Sequence, residues 1–118
     1  MNKDHYDEFA KYMHYEVCKT RNAGQEEYAT ENNVFADFES TAKLSGITPE
    51  IVIYIFLNKH IRGIGAFIRG RSSQREDVTG RIKDAIVYLF LLWAMIDGEK
   101  QLDAIKEPNR VRQVESML

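Results

Sequence analysis

Three groups able to hold an anion fall within four consecutive positions: Lys59, His60 and Arg62. On a helix Lys59 and Arg62 are i, i+3 neighbours and share a face. A guanidinium forks two phosphate oxygens, while an ammonium acts as a point charge. Aromatic rings that could stack on a base are Tyr28, Phe35, Phe38 and Tyr88, and such stacking contributes roughly 1–3 kcal/mol per base. The amides of Gln25, Asn32 and Asn33 could read base edges. Taken singly, Phe35, Phe38 and Tyr88 read better as core; the set reads as a nucleotide site. Carboxylates suited to a hard cation are Glu27, Glu31, Asp37 and Asp84, since magnesium demands near-octahedral oxygen ligation. Arg81 stands four residues after Asp77 and three before Asp84, a spacing that predicts an intrahelical ion-pair ladder instead. Nucleophilic catalysis has no support. His5 and His14 are nine apart on a helix and off a common face, no Ser-His-Asp or Cys-His spacing occurs, and Gly63-x-Gly65 lacks the strand and length of a phosphate loop.

Charge distribution sharpens the anion reading. The net charge of −2 argues against a general binder of long nucleic acid. Residues 1–58 hold five Lys/Arg against ten Asp/Glu, residues 59–83 hold seven against two, and residues 84–118 hold four against six. A basic segment inside an acidic chain attracts a small polyanion without following the length of a duplex. The same basic segment could instead simply solvate a loop and pair with the acidic half of the chain.

These groups need a frame, and hydrophobic periodicity supplies one. Tyr6, Phe9, Ala10, Met13 and Val17 predict a first helix over 4–20, stopped at Gly24. A polar connector, residues 21–39, follows; it is longer than the usual four to six residues. Within it a second helix is expected from Asn32 or Asn33 to Gly46. Thr48-Pro49-Glu50 is the clearest helix start in the chain. The third helix it opens is apolar all round between Ile51 and Leu57, which places it at the centre. Ser72 or Ser73 caps the fourth, whose stripe is Val78, Ile82, Ala85, Ile86, Leu89, Phe90, Trp93 and Ile96, ended by Asp97-Gly98. Residues 99–106 read as a weak helix broken at Pro108, with Val111, Val114 and Leu118 in a polar tail. The expectation is one all-α domain: a helical bundle of four main helices over 1–98, then a short C-terminal helical tail over 99–118 that is either frayed or packed on a second subunit. At 118 residues the chain can bury a real core. Its single cysteine, Cys18, permits no internal disulfide and no cysteine-based zinc cage. No leader is visible at the N-terminus, and the most apolar stretch, 85–96, is shorter than the roughly twenty residues a bilayer needs. A cytoplasmic protein with no membrane partner is expected.

The order RNAGQEEYATENNVFADFESTAKLSGITPE, FLNKHIRGI, GRIKDAIVYLFLL over residues 19–96 resembles small phage-encoded nucleotide-modification-associated domains. These are similar in turn to the all-α MazG-like and dUTPase-like nucleoside triphosphate pyrophosphohydrolases. The resemblance implies a MazG-like bundle with a pocket made by Gln25, Glu27, Tyr28, Asn33, Phe35, Phe38, Lys59, His60, Asp84 and Tyr88. It also implies the cytoplasm of an infected cell as the setting. MazG-like enzymes hold magnesium with a Glu-x-x-Glu and a Glu-x-x-Asp pair. Here Asp84 keeps the last acid, Arg81 replaces its partner, and Glu27 and Glu31 are four apart. The incomplete pattern favours binding over turnover.

The leading expectation is therefore a binder of a nucleotide or nucleotide-derived small molecule. The 25–38 connector would take the base or sugar, Lys59, His60 and Arg62 would take the phosphates, and no cofactor is required. Its biological role would be sequestration of a host immune messenger. The alternatives are a magnesium-dependent pyrophosphohydrolase using Glu27, Glu31 and Asp84, and a protein-interaction inhibitor of a host enzyme acting through the basic 59–83 face. A homo-oligomer is expected under each.

Overall fold

The computed structural model describes residues 1–28, 32–71 and 75–117, Tyr28 by its backbone alone. Every regular element among them is helical: α1 Lys3–Tyr28, α2 Ala36–Ser45, α3 Pro49–Ile68, α4 Val78–Trp93, a π turn Ala94–Gly98, α5 Glu99–Ile105 and α6 Pro108–Met117.

Local chemistry explains most boundaries. Asn2 starts α1 by accepting the His5 N–H on its side-chain oxygen at 2.8 Å. The helix then runs through Gly24 rather than stopping there. An interior glycine costs about 1 kcal/mol relative to alanine, and Gly24 itself does not take the left-handed conformation that would end the helix. Asn33 does not cap α2 directly. Its Oδ1 accepts the Phe35 N–H at 2.9 Å and its Nδ2 donates to Glu39 at 2.9 Å, building a turn that delivers the chain to α2. Gly46, at φ 69°, closes α2 in the left-handed conformation. Thr48 accepts the Ile51 N–H at 3.3 Å, with Pro49 in the first turn of α3. Ser72 and Ser73 lie outside the described residues. Asp77 stands at the α4 start, where a hydrogen bond from the Thr79 hydroxyl holds its carboxyl below the usual carboxylate range.

One expected break does not occur: Asp97-Gly98 continues as a π turn into α5. The expected short helix does end before Pro108, as α5 at Ile105, and Pro108 then opens α6 over the segment read only as a polar tail. Proline lacks only the N–H that a first helical turn leaves unused, so it starts a helix readily. Residues 111 and 114 are exposed on α6, and Leu118 is outside the described residues.

α3 is the hub: α2 and α4 both pack on it, and α1 packs on α4. The core joins Phe38 and Ala42 of α2 to Val52 and Ile53 of α3, flanked by Phe35, Ile47, Tyr88, Leu91, Leu92 and Met95. On α4 and the π turn the face turned inward carries Ala85, Tyr88, Leu91, Leu92 and Met95, so of the predicted stripe Ala85 is buried while most of the rest is not. Ile82, Leu89, Phe90, Trp93 and Ile96 are exposed, Trp93 by 67% and Ile96 by 60%. α3 likewise buries only one side; Ile51, Tyr54, Ile55, Ile61 and Ile68 face outward. By length and composition α3, rather than 85–96, is the stretch that reaches the length and apolarity of a membrane span, with 22% of that window buried, a test that the core helix of a protein outside any membrane also passes. Lys59 and Arg62 lie within this helix, and each would cost about 2.5–3.5 kcal/mol at a bilayer centre.

Candidate functional site

The end of α3 and the first turns of α4 carry two hollows separated by a buried histidine. The first is a cleft of about 190 Å³ between α1, α2, α3 and α4. Phe38, Phe56 and Tyr88 form its aromatic wall. Phe56 and Tyr88 stack with centroids 6.0 Å apart and 14° between planes, and Phe38 meets both edge-on at 6.3 Å. Gln25, Arg21, Asp37 and Asp84 supply polar groups at the rim, and Gly24 leaves the α1 side open.

The second hollow, about 570 Å³, is lined by Asn58, Lys59, Arg62, Arg71, Arg75 and Arg81 beside Ile55, Gly63 and Ala66. Five cations thus face one space. Lys59 lies 3.6 Å from Glu76, while Arg62 and Arg75 make no ion pair among the described residues. The expected ladder of Arg81 with Asp77 and Asp84 is not formed. Arg81 instead leans across Gly63 of α3, where a Cβ would collide with its guanidinium, and its buried Nε has no hydrogen-bond partner. Gly63 is the seat of that guanidinium, which explains a glycine in the middle of α3. Gly63→Ala should therefore hold or raise the melting temperature, since alanine is the better helix former by about 1 kcal/mol. It should also evict Arg81 and weaken anion binding several-fold. Calorimetric titration with an inorganic polyphosphate beside a thermal melt measures both; unchanged affinity would remove Arg81 from the site.

Between the hollows sits His60, 5% exposed. Its ring stacks on Tyr88, centroids 5.6 Å apart at 24°. Nδ1 lies 3.8 Å from Glu76 and Nε2 3.9 Å from Asp84. Tyr88 and Asp84 line the first hollow, and Lys59 the second, so the cluster joins them.

The sequence-predicted residues therefore divide. Gln25, Phe38, Asp84 and Tyr88 meet at the aromatic cleft, and Lys59 and Arg62 meet at the basic hollow, with His60 between. Phe35 packs against the core, and Asn33 engages its amide in the turn before α2. Glu27 lines a third hollow with Asp84, Tyr88 and Lys83. Glu31 and the Tyr28 side chain lie outside the described residues. Sequence reasoning missed Phe56, Arg71, Arg75, Arg81 and Glu76 as parts of one site. The signal available was the excess of arginine over 59–83; the side on which each would fall was not. No known protein family, characterised protein or solved structure matches the chain.

Proposed function

We propose that this chain is a phage-type, MazG-like helical protein that binds a nucleotide or nucleotide-derived signal across the two hollows. The base or sugar takes the aromatic cleft against Phe56 and Tyr88, and the phosphates take the basic hollow. The observation that carries the reading is the placement of five cations beside a stacked aromatic pair, joined through His60. Coulomb attraction to phosphate is strong where several cations converge in a hollow with low-dielectric walls. Sequestration of a host immune messenger in the cytoplasm suits a site that binds and does not turn over. Ligand incubated with protein and magnesium should be recovered intact by chromatography.

A second copy of the chain completes the molecule in this reading. The exposed surface is 9518 Å², against about 6,600 Å² for a monomer of this mass. The radius of gyration is 16.7 Å, against about 13.5 Å for a compact chain of this length. Large apolar side chains are exposed on α1, α3, α4 and the α5–α6 tail alike, and the excess surface is greater than the roughly 800 Å² per partner of a standard interface.

A second reading, magnesium-dependent hydrolysis of nucleoside triphosphates, is favoured by one observation: Glu27 and Asp84 line the same hollow. Pyrophosphate release that stops on adding chelator would establish it and displace the first.

A further inference from the structure

We propose that His60, Glu76 and Asp84 form a binding site for a borderline divalent metal ion such as zinc or manganese. The site stands on its own geometry, whatever the hollows bind. One ligand atom from each residue lies within 4.8 Å of the other two. His60 comes from α3, Glu76 from the segment entering α4, and Asp84 from α4 itself, so the fold and not a local turn assembles them.

Two observations separate this cluster from ordinary surface acids. The first is that His60 is buried while its Nδ1 has no hydrogen-bond partner; a buried polar atom ordinarily has one. The second is spacing. The ring nitrogens lie 3.8 and 3.9 Å from the carboxylate oxygens, too far for a hydrogen bond. Two ligands on one ion at about 2.1 Å stand roughly 3.4 Å apart at a tetrahedral angle and up to about 4.2 Å when opposed. One ion takes one ring nitrogen, so only one of these two separations applies to it. The three ligand atoms lie within 4.8 Å of one another, and a swing of the partly exposed carboxylate on the far side of the ring closes the set.

The surrounding groups fit a metal. Tyr88 stacks on the imidazole and fixes its plane. Glu76 divides its oxygens: Oε1 faces Lys59 at 3.6 Å and Oε2 faces His60. An ion on Oε2 therefore leaves the lysine contact in place. Glu76 and Asp84 side chains are 43% and 41% exposed, which gives solvent access and leaves open positions for water or a ligand oxygen. One imidazole with two carboxylates selects zinc or manganese over magnesium or calcium, which prefer all-oxygen sets.

The test is calorimetric titration of chelator-stripped, desalted full-length protein with Mn²⁺ and with Zn²⁺. One ion per chain should bind. Glu76→Gln and Asp84→Asn should each weaken it at least about tenfold, while Glu115→Gln, exposed on α6, should leave it within twofold. Both key substitutions fall on partly exposed side chains, and circular dichroism confirms that the variants remain helical. No binding of either ion, or equal affinity in wild type and both variants, would overturn the proposal.

Discussion

Leu89→Glu combined with Trp93→Glu should convert the protein from an oligomer to a monomer of 13.7 kDa. Ile82, Ile86, Leu89, Trp93 and Ile96 recur with alternating steps of four and three along α4 and its π turn, the seam spacing of helices that pair with one another. In the single chain all but Ile86 are exposed. Burying a side chain of this size contributes about 1.5–3 kcal/mol when it starts fully exposed, so a half-exposed seam gains about half that per residue. Two carboxylates facing their own copies across a two-fold axis forfeit that gain and add like-charge repulsion. The expected loss is at least about 4 kcal/mol, a thousandfold in the dissociation constant. Light scattering coupled to size exclusion checks it. The wild type should elute at a multiple of the chain mass and the variant at the chain mass. A wild type already monomeric at tens of micromolar would contradict the expectation.

Lys59→Ala with Arg62→Ala should abolish ligand binding with the fold intact. Both side chains are exposed and face the basic hollow, so their loss leaves no cavity in the core. A hydrogen bond to a charged group contributes about 1.5–3 kcal/mol, so losing two costs roughly 3–6 kcal/mol, more than a hundredfold in affinity. The remaining binding should also depend less steeply on salt. Affinity within threefold of wild type, measured calorimetrically, would move the phosphates elsewhere.

The ends of α2 and α3 were legible because their chemistry is local. Gly46, Thr48 and Pro49 act on their own turn, whatever surrounds them. The side of α4 that faces the core was not legible. Two apolar stripes run along that helix, and the more strongly apolar one, through Leu89 and Trp93, is left bare in the single chain. Periodicity reports that a stripe is buried somewhere; it does not distinguish a helix of the same chain from one of another copy. Pro108 marks the end of α5 as its sequence suggests, but the helix that it also begins was not legible, since proline both ends and begins helices. At the site, Lys59, His60 and Arg62 could be picked out because they are adjacent in sequence. Glu76 could not be joined to His60, nor Arg81 to Gly63, because both pairings depend on how α3 and α4 dock.

The proposed function requires a nucleotide-type ligand to span the aromatic cleft and the basic hollow. The measurement that tests it most directly is a thermal-shift panel of nucleotides, including cyclic and ADP-ribose-derived messengers, with and without added magnesium. A ligand at about 100 times its dissociation constant adds roughly 2.7 kcal/mol, which moves the midpoint by several degrees in a domain of this size. The account predicts such a shift from at least one compound, equal with and without magnesium, with the compound recovered intact. A panel in which no compound moves the midpoint would contradict it and favour a protein partner on the basic face.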